Sequence, residues 1–127
     1  MKEVNQPAAS GGAWSWVRWA AGVVASGFYQ RCEAENDGSL VHEFLGSDGR
    51  VWKCYGKALL DRLLAEVKPA AERPDKAAAF IVVRCTGKRE ITGGREVYDF
   101  RVVELDQAAE IDAFKAGKLD PFAVSAK

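Results

Sequence analysis

Hydrophobic and polar positions alternate along this chain with two different periods, and the changes of period mark its elements. From Trp14 to Cys32 the segment WSWVRWAAGVVASGFYQRC is rich in aromatic and β-branched residues, with glycines at 22 and 27. That pattern predicts one long, bent strand. The turn signal Asn36-Asp37-Gly38-Ser39 follows, then LVHEFLG, the turn Ser47-Asp48-Gly49 and RVWKCYG. Two short runs flanking a Gly-containing turn predict a hairpin. Residues 57–67, KALLDRLLAEV, switch to a helical period. Leu59, Leu60, Leu63, Leu64 and Val67 form one stripe, with Asp61, Arg62 and Glu66 outside it. Pro69 stops this helix, and Pro74 extends a polar loop over residues 68–76.

After the loop, AAAFIVVRC is continuously apolar. Thr86-Gly87-Lys88-Arg89 and the Thr92-Gly93-Gly94 turn then lead into EVYDFRVVEL. This predicts a second hairpin. A weak helical pattern around Ala109, Ile111, Ala113 and Phe114 predicts a short C-terminal helix ended by Gly117, and the last nine residues are expected to be loose. Residues 1–13 combine Pro, Gly, Ser and Ala without a period, as a flexible leader does. The domain is therefore expected over residues 14–106, with a partly helical tail over 107–127. Three strands, one helix, then two strands is the order of a mainly β, five-stranded OB-fold barrel with its helix between strands 3 and 4. Strands and helices do not alternate as a parallel sheet would require.

Length and composition narrow the function classes. The chain has 127 residues, 48% hydrophobic and 28% charged, which suits one globular domain. No apolar run reaches the roughly 18–20 residues of a membrane span. The N-terminus lacks the pattern of a secretory signal, so a cytoplasmic location and no membrane partner are expected. Cys32, Cys54 and Cys85 lack a CxxC spacing and read as reduced, strand-borne apolar residues.

Catalysis finds little material here. His42 is the only histidine. It cannot supply a zinc set, and on a strand beside Glu43 it reads as a partly exposed structural residue. The glycines of TGKRE and TGGRE lack the order of a phosphate-binding loop. No carboxylate pair sits in an apolar segment that would raise a pKa. The expectation is no enzyme activity, no metal and no cofactor.

Binding is better supplied. The 18 basic and 18 acidic residues cancel. Residues 50–103 nevertheless hold 12 Lys or Arg against 7 Asp or Glu, while both ends are acidic. Single-strand binding needs cations that follow phosphates and exposed aromatics on which bases stack. In RVWKCYGK, alternation sends Lys53 and Tyr55 to one face and Trp52 and Cys54 to the other, which makes Lys53/Tyr55 the candidate platform, with Lys57 next to it. Arg84, Lys88, Arg89 and Arg95 lie at or near the last hairpin, where a loop can close over a ligand. Phe28 and Tyr29 point to opposite faces of their strand, one toward the core and one toward the ligand. Tyr98 and Phe100 read as core. Trp14, Trp16 and Trp19 could form a stacking surface, an aromatic plug or a self-association patch.

Residues 22–106 also resemble a family of phage and mobile-element OB-fold proteins regarded as single-stranded DNA-binding proteins. The carriers are GVVASGFYQR, the hairpin ending DGRVWKCYG, the junction YGKALLDRLLAEV and the final hairpin TGKREITGGREVYDFRVVEL. Tyr55-Gly56 running into Leu60-Asp61-Arg62-Leu63-Leu64, and Gly87-Lys88 preceding Tyr98-Asp99-Phe100, are the most specific of these. The resemblance implies a non-catalytic protein that handles single-stranded DNA in replication or recombination of a phage, prophage or plasmid. RNA is a second ligand that such a face accepts. The alternative is an interaction or inhibitor module that binds a host or phage protein, such as one of the replication machinery. An edge strand or the Trp strip could also mediate a homo-oligomer.

Overall fold

The computed structural model describes residues 14–124; the expected leader over 1–13 and the last three residues lie outside the described residues. The elements in chain order are β1 (Trp14–Trp16), β2 (Val24–Ala34), β3 (Leu40–Leu45), β4 (Val51–Tyr55), α1 (Ala58–Val67), β5 (Phe80–Glu90), β6 (Glu96–Leu105), α2 (Ala108–Lys115) and α3 (Pro121–Val124). They form a mainly β fold around one six-stranded mixed sheet in the order β1-β4-β3-β2-β5-β6. The pairing of β1 with β4 is parallel, and all other pairs are antiparallel.

Two expectations need correction. The sheet has six strands rather than five, and β1 and β6 are its two ends, so it does not close into a barrel. Both differences arise where the single long strand expected over residues 14–32 divides. The Val17 amide donates to the Lys53 carbonyl of β4; five residues on, the Gly22 amide donates to Cys85 of β5, and the Cys85 amide to Val23. The segment 17–23 thus leaves the β4 edge and rejoins the sheet at β5. Trp19 lies buried between Trp52 and Phe100, with ring centroids at 6.5 and 5.3 Å. Burying one indole outweighs the local strand propensity of this stretch, because side-chain packing rather than backbone preference decides strand extent.

The sheet has apolar groups on both faces. Tyr29, Phe44, Trp52, Ile81, Val83, Cys85 and Phe100 fill the inner face, covered by Leu60 and Leu64 of α1. Phe80, Val82 and Leu105 point outward beneath the C-terminal helices, where Phe122 joins them. The continuous apolar run of β5 is thereby explained: both of its faces are buried. The expected loose end is corrected over its described residues, since α3 places Phe122 in that second cluster at 4% exposure, while residues 125–127 lie outside the described residues. Beyond α1, Arg73 donates to the carbonyls of Val67 (2.7 Å), Lys68 (3.1 Å) and Ala77 (3.3 Å), giving helix-end acceptors a partner.

One backbone irregularity matters for the site. The β5–β6 register slips between Cys85 and Gly87, and Gly87 has φ 122°, a region L side chains rarely adopt. Beyond this bulge Lys88 pairs with Tyr98, so a lysine that strict alternation from Cys85 would send outward shares the Tyr98 face.

Candidate nucleic-acid interface

The junction from β4 to α1 sets the site's geometry. A Cβ on Gly56 would overlap the carboxylate of Asp61, so glycine at 56 is what lets that carboxylate turn back under the strand. Asp61 Oδ1 then accepts from His42 Nε2 at 2.7 Å, and His42 Nδ1 lies 2.7 Å from the Tyr29 hydroxyl. Asp61 can only accept, so Nε2 donates; in the neutral ring Nδ1 accepts from Tyr29. His42 is 1% exposed rather than partly exposed as expected, and both ring nitrogens are committed to the core. Around this network, burial disfavours the charged forms and raises the pKa of the Tyr29 phenol and the Cys32 thiol, and pushes the Cys54 thiol up to about 12.

This junction fixes Tyr55 and Lys57 at the mouth of a cleft. Tyr55 is 44% exposed, and Trp16 of β1 stacks on it at 4.8 Å with 5° between the planes. Trp14 meets Trp16 edge-on at 5.1 Å. Partial desolvation and the Glu35 carboxylate, 3.4 Å from the hydroxyl, hold the Tyr55 phenol above its usual value. A cleft of about 550 Å³ runs from Trp16 and Tyr55 past Arg18 and Trp19 to Lys57 and Tyr98. A second, of about 410 Å³, continues from Lys57 and Tyr98 to Arg62, Arg89 and Glu96. Tyr98 sits at the waist between them, with the ammonium groups of Lys57 and Lys88 each 5.1 Å from its ring. Arg18, Lys57, Arg62 and Lys88 have no ion pair among the described residues, whereas Arg89 pairs with Asp99 at 3.2 Å.

The structure brings together only part of the expected set. Tyr55, Lys57 and Arg89 line these clefts, and Lys88 lies over the Tyr98 ring without lining either. Lys53 does face the Tyr55 side, but it pairs with Glu43 at 3.9 Å and lies over Trp14, and Glu43 also approaches Arg31. Tyr29, at 1% exposure, is a core residue and offers no face to a base. Its neighbour Phe28 is not the exposed partner either, because it packs on Phe80 at 5.0 Å in the second cluster. Arg84 points to the outer face of β5, over Phe122 at 5.9 Å, away from the cleft. Arg95 is exposed at the β5–β6 turn and lines neither cleft.

Three cleft residues escaped the sequence reading. Arg18 reads only as a break in an apolar run, Arg62 as the solvated side of a helix, and Tyr98 as core. Tyr98 is half-buried, touching the core with one part of its ring and the cleft with another. The available signal was Gly87, whose bulge aligns Lys88 with Tyr98. The three alternatives for the tryptophans divide between residues: Trp19 is the plug, while Trp14 and Trp16 are exposed at 38% and 42%.

No helix among the described residues is long and apolar enough to cross a membrane. No family model, curated protein or solved structure matches the chain.

Proposed function

We propose that this chain is a non-catalytic, OB-like protein that binds single-stranded DNA along the Trp16–Tyr55–Tyr98 cleft, in DNA replication or recombination of a mobile element. The carrying observation is the exposed Trp16–Tyr55 stack opening onto Arg18, Lys57 and Arg62, which have no ion pair among the described residues, with Lys88 over the Tyr98 ring. A base stacked on such a ring contributes about 1–3 kcal/mol without selecting sequence, and phosphates supply the salt-dependent remainder. The strand pairings add support for the fold reading: β2–β3, β3–β4, β2–β5 and β5–β6, with α1 between β4 and β5, are those of an OB barrel without its closing pair. The parallel β1 lies on the β4 edge that the closing strand would occupy.

The test is quenching of tryptophan fluorescence by oligo-dT at two salt concentrations, with duplex DNA and oligo-U as competitors. The expected result is saturable quenching that duplex does not reverse. With about three or four phosphates contacted, the slope of log K against log salt is about −2 to −3. No quenching at micromolar protein and low salt removes the proposal, and preference for oligo-U reassigns the ligand to RNA.

A second reading has its own observation. Trp14 and Trp16 lie exposed on an edge strand, as in a surface that adds a partner's strand. Under that reading a protein partner, not DNA, protects the β1 amides from hydrogen exchange.

A further inference from the structure

We infer that the cleft holds a short single-stranded segment of about four nucleotides, at the lower end of the roughly 4–16 that OB-type sites occupy, and does not continue as a track for a long strand. This rests on the single-strand reading above. The observation behind it is that the cationic stretch is bounded by acids at both ends.

At the aromatic end, the Tyr55 hydroxyl meets Glu35, and Glu35 and Asp37 line the adjoining surface hollow. The Asp37 carboxyl accepts the Ser39 amide at 2.9 Å, which holds it below its ordinary value, so it stays charged. A strand turning instead along β4 toward β3 meets Glu43, which already neutralises Lys53. At the hairpin end, beyond Arg89, Glu90 and Glu96 are direct partners in the β5–β6 register, both exposed. Two carboxylates opposite one another repel a phosphate as they repel each other. Between these limits lie the cleft cations Arg18, Lys57 and Arg62, with Lys88 over Tyr98, none of them ion-paired among the described residues, and a single exposed aromatic stack, enough for a few phosphates and one or two bases.

The proposal separates length dependence from binding itself. The experiment titrates the full chain with dT3, dT4, dT6, dT12 and dT30, reading anisotropy of a 3′ dye at fixed low salt. Affinity is expected to rise to dT4 and then to increase only by the statistical number of registers, with several chains binding one dT30. An affinity gain of more than about tenfold beyond that statistical factor between dT4 and dT12 overturns the short site while leaving single-strand binding intact. Absence of binding to every oligomer overturns both.

A variant adds a second arm. Asp37→Asn with Glu90→Gln removes one negative charge at each boundary and keeps an acceptor for Ser39. It is expected to raise dT12 affinity about fivefold and to change dT4 affinity by less than about twofold. Equal effects on both lengths contradict the boundary role of these acids.

Discussion

Two aromatic stacks of similar geometry occur in this molecule and do different work. Inside the sheet, Tyr29 stacks on Phe44 at 4.8 Å and Phe44 on Trp52 at 4.1 Å, with all three rings buried. At the sheet edge, Trp16 stacks on Tyr55 at the same 4.8 Å, but both rings are about two-fifths exposed. The polar groups beside them differ in the same sense. Tyr29, His42 and Asp61 satisfy one another, and the Trp52 indole N–H donates to the Ser26 carbonyl at 2.9 Å. Among the described residues, Lys57 and Lys88 meet only the face of Tyr98. Ring geometry alone therefore does not identify a binding surface; what remains unsatisfied around the rings does.

The largest expected effect lies in the buried stack. Phe44→Ala should cost about 4 kcal/mol in urea unfolding, through lost burial and the cavity left behind. A loss below about 1 kcal/mol would mean that the inner stack is not the centre of the core. Alkaline pH attacks the same region without mutation. The buried Cys54 thiol has a folded value of about 12 against 9.0 when free, so the unfolded chain loses this proton first. Stability from this group is complete below pH 9 and falls by about 1.4 kcal/mol per pH unit until the folded value is reached. Urea midpoints measured from pH 8 to pH 11 should decline, and the decline should be shallower in Cys54→Ala.

Asp61→Asn keeps the side chain's shape but removes the charge that accepts from His42, and about 2 kcal/mol of stability should go with it. The partial exposure of Asp61 to water keeps this cost below that of a wholly buried pair. Oligo-dT affinity per folded molecule should stay within about twofold, because the network only supports the platform from beneath. A tenfold loss would join the two regions into one functional unit.

Changes in the exposed stack should reverse the pattern. Trp16→Ala is expected to weaken oligo-dT binding by about 1–2 kcal/mol, read by anisotropy of a labelled strand. Its melting temperature should move by no more than about 2 °C. Should stability fall and binding hold, the two stacks would have exchanged roles. The smallest effect is reserved for Lys53→Gln, less than about twofold in affinity, since Glu43 already neutralises that cation.

Periodicity made α1, β3, β4 and β6 readable within a residue or two, whereas β5, expected over AAAFIVVRC, runs Phe80–Glu90 through the bulge at Gly87. The pattern of RVWKCYG also separated the buried Trp52 and Cys54 from the outward Lys53 and Tyr55. Strong alternation with one face buried leaves the chain little choice of register. The same residues held a second message that periodicity does not carry: the YG…LLDRLL junction is a close approach of the Asp61 carboxylate to Gly56, in service of His42 on another strand.

The candidate site was legible only in part, for three physical reasons. Tyr29 and Phe28 were placed on opposite faces correctly, but α2 and α3 cover the second face, a long-range packing event that local pattern does not contain. Arg84 lies on that covered side for the same reason. Charge counts located the basic middle of the chain, yet Lys53 is neutralised by a cross-strand carboxylate and Lys88 is re-aimed by a bulge.

By itself the sequence determined the helix, the two hairpins and the inward faces of β4 and β6, because those follow from spacing between near neighbours. Only the tertiary structure decided that the first strand would break at residues 17–23, that Trp19 would enter the core while Trp16 remained outside, and that Tyr55 and Tyr98 would flank one cleft. These outcomes depend on which distant surfaces bury the most apolar area together, and a one-dimensional pattern states what each segment must hide but not against what.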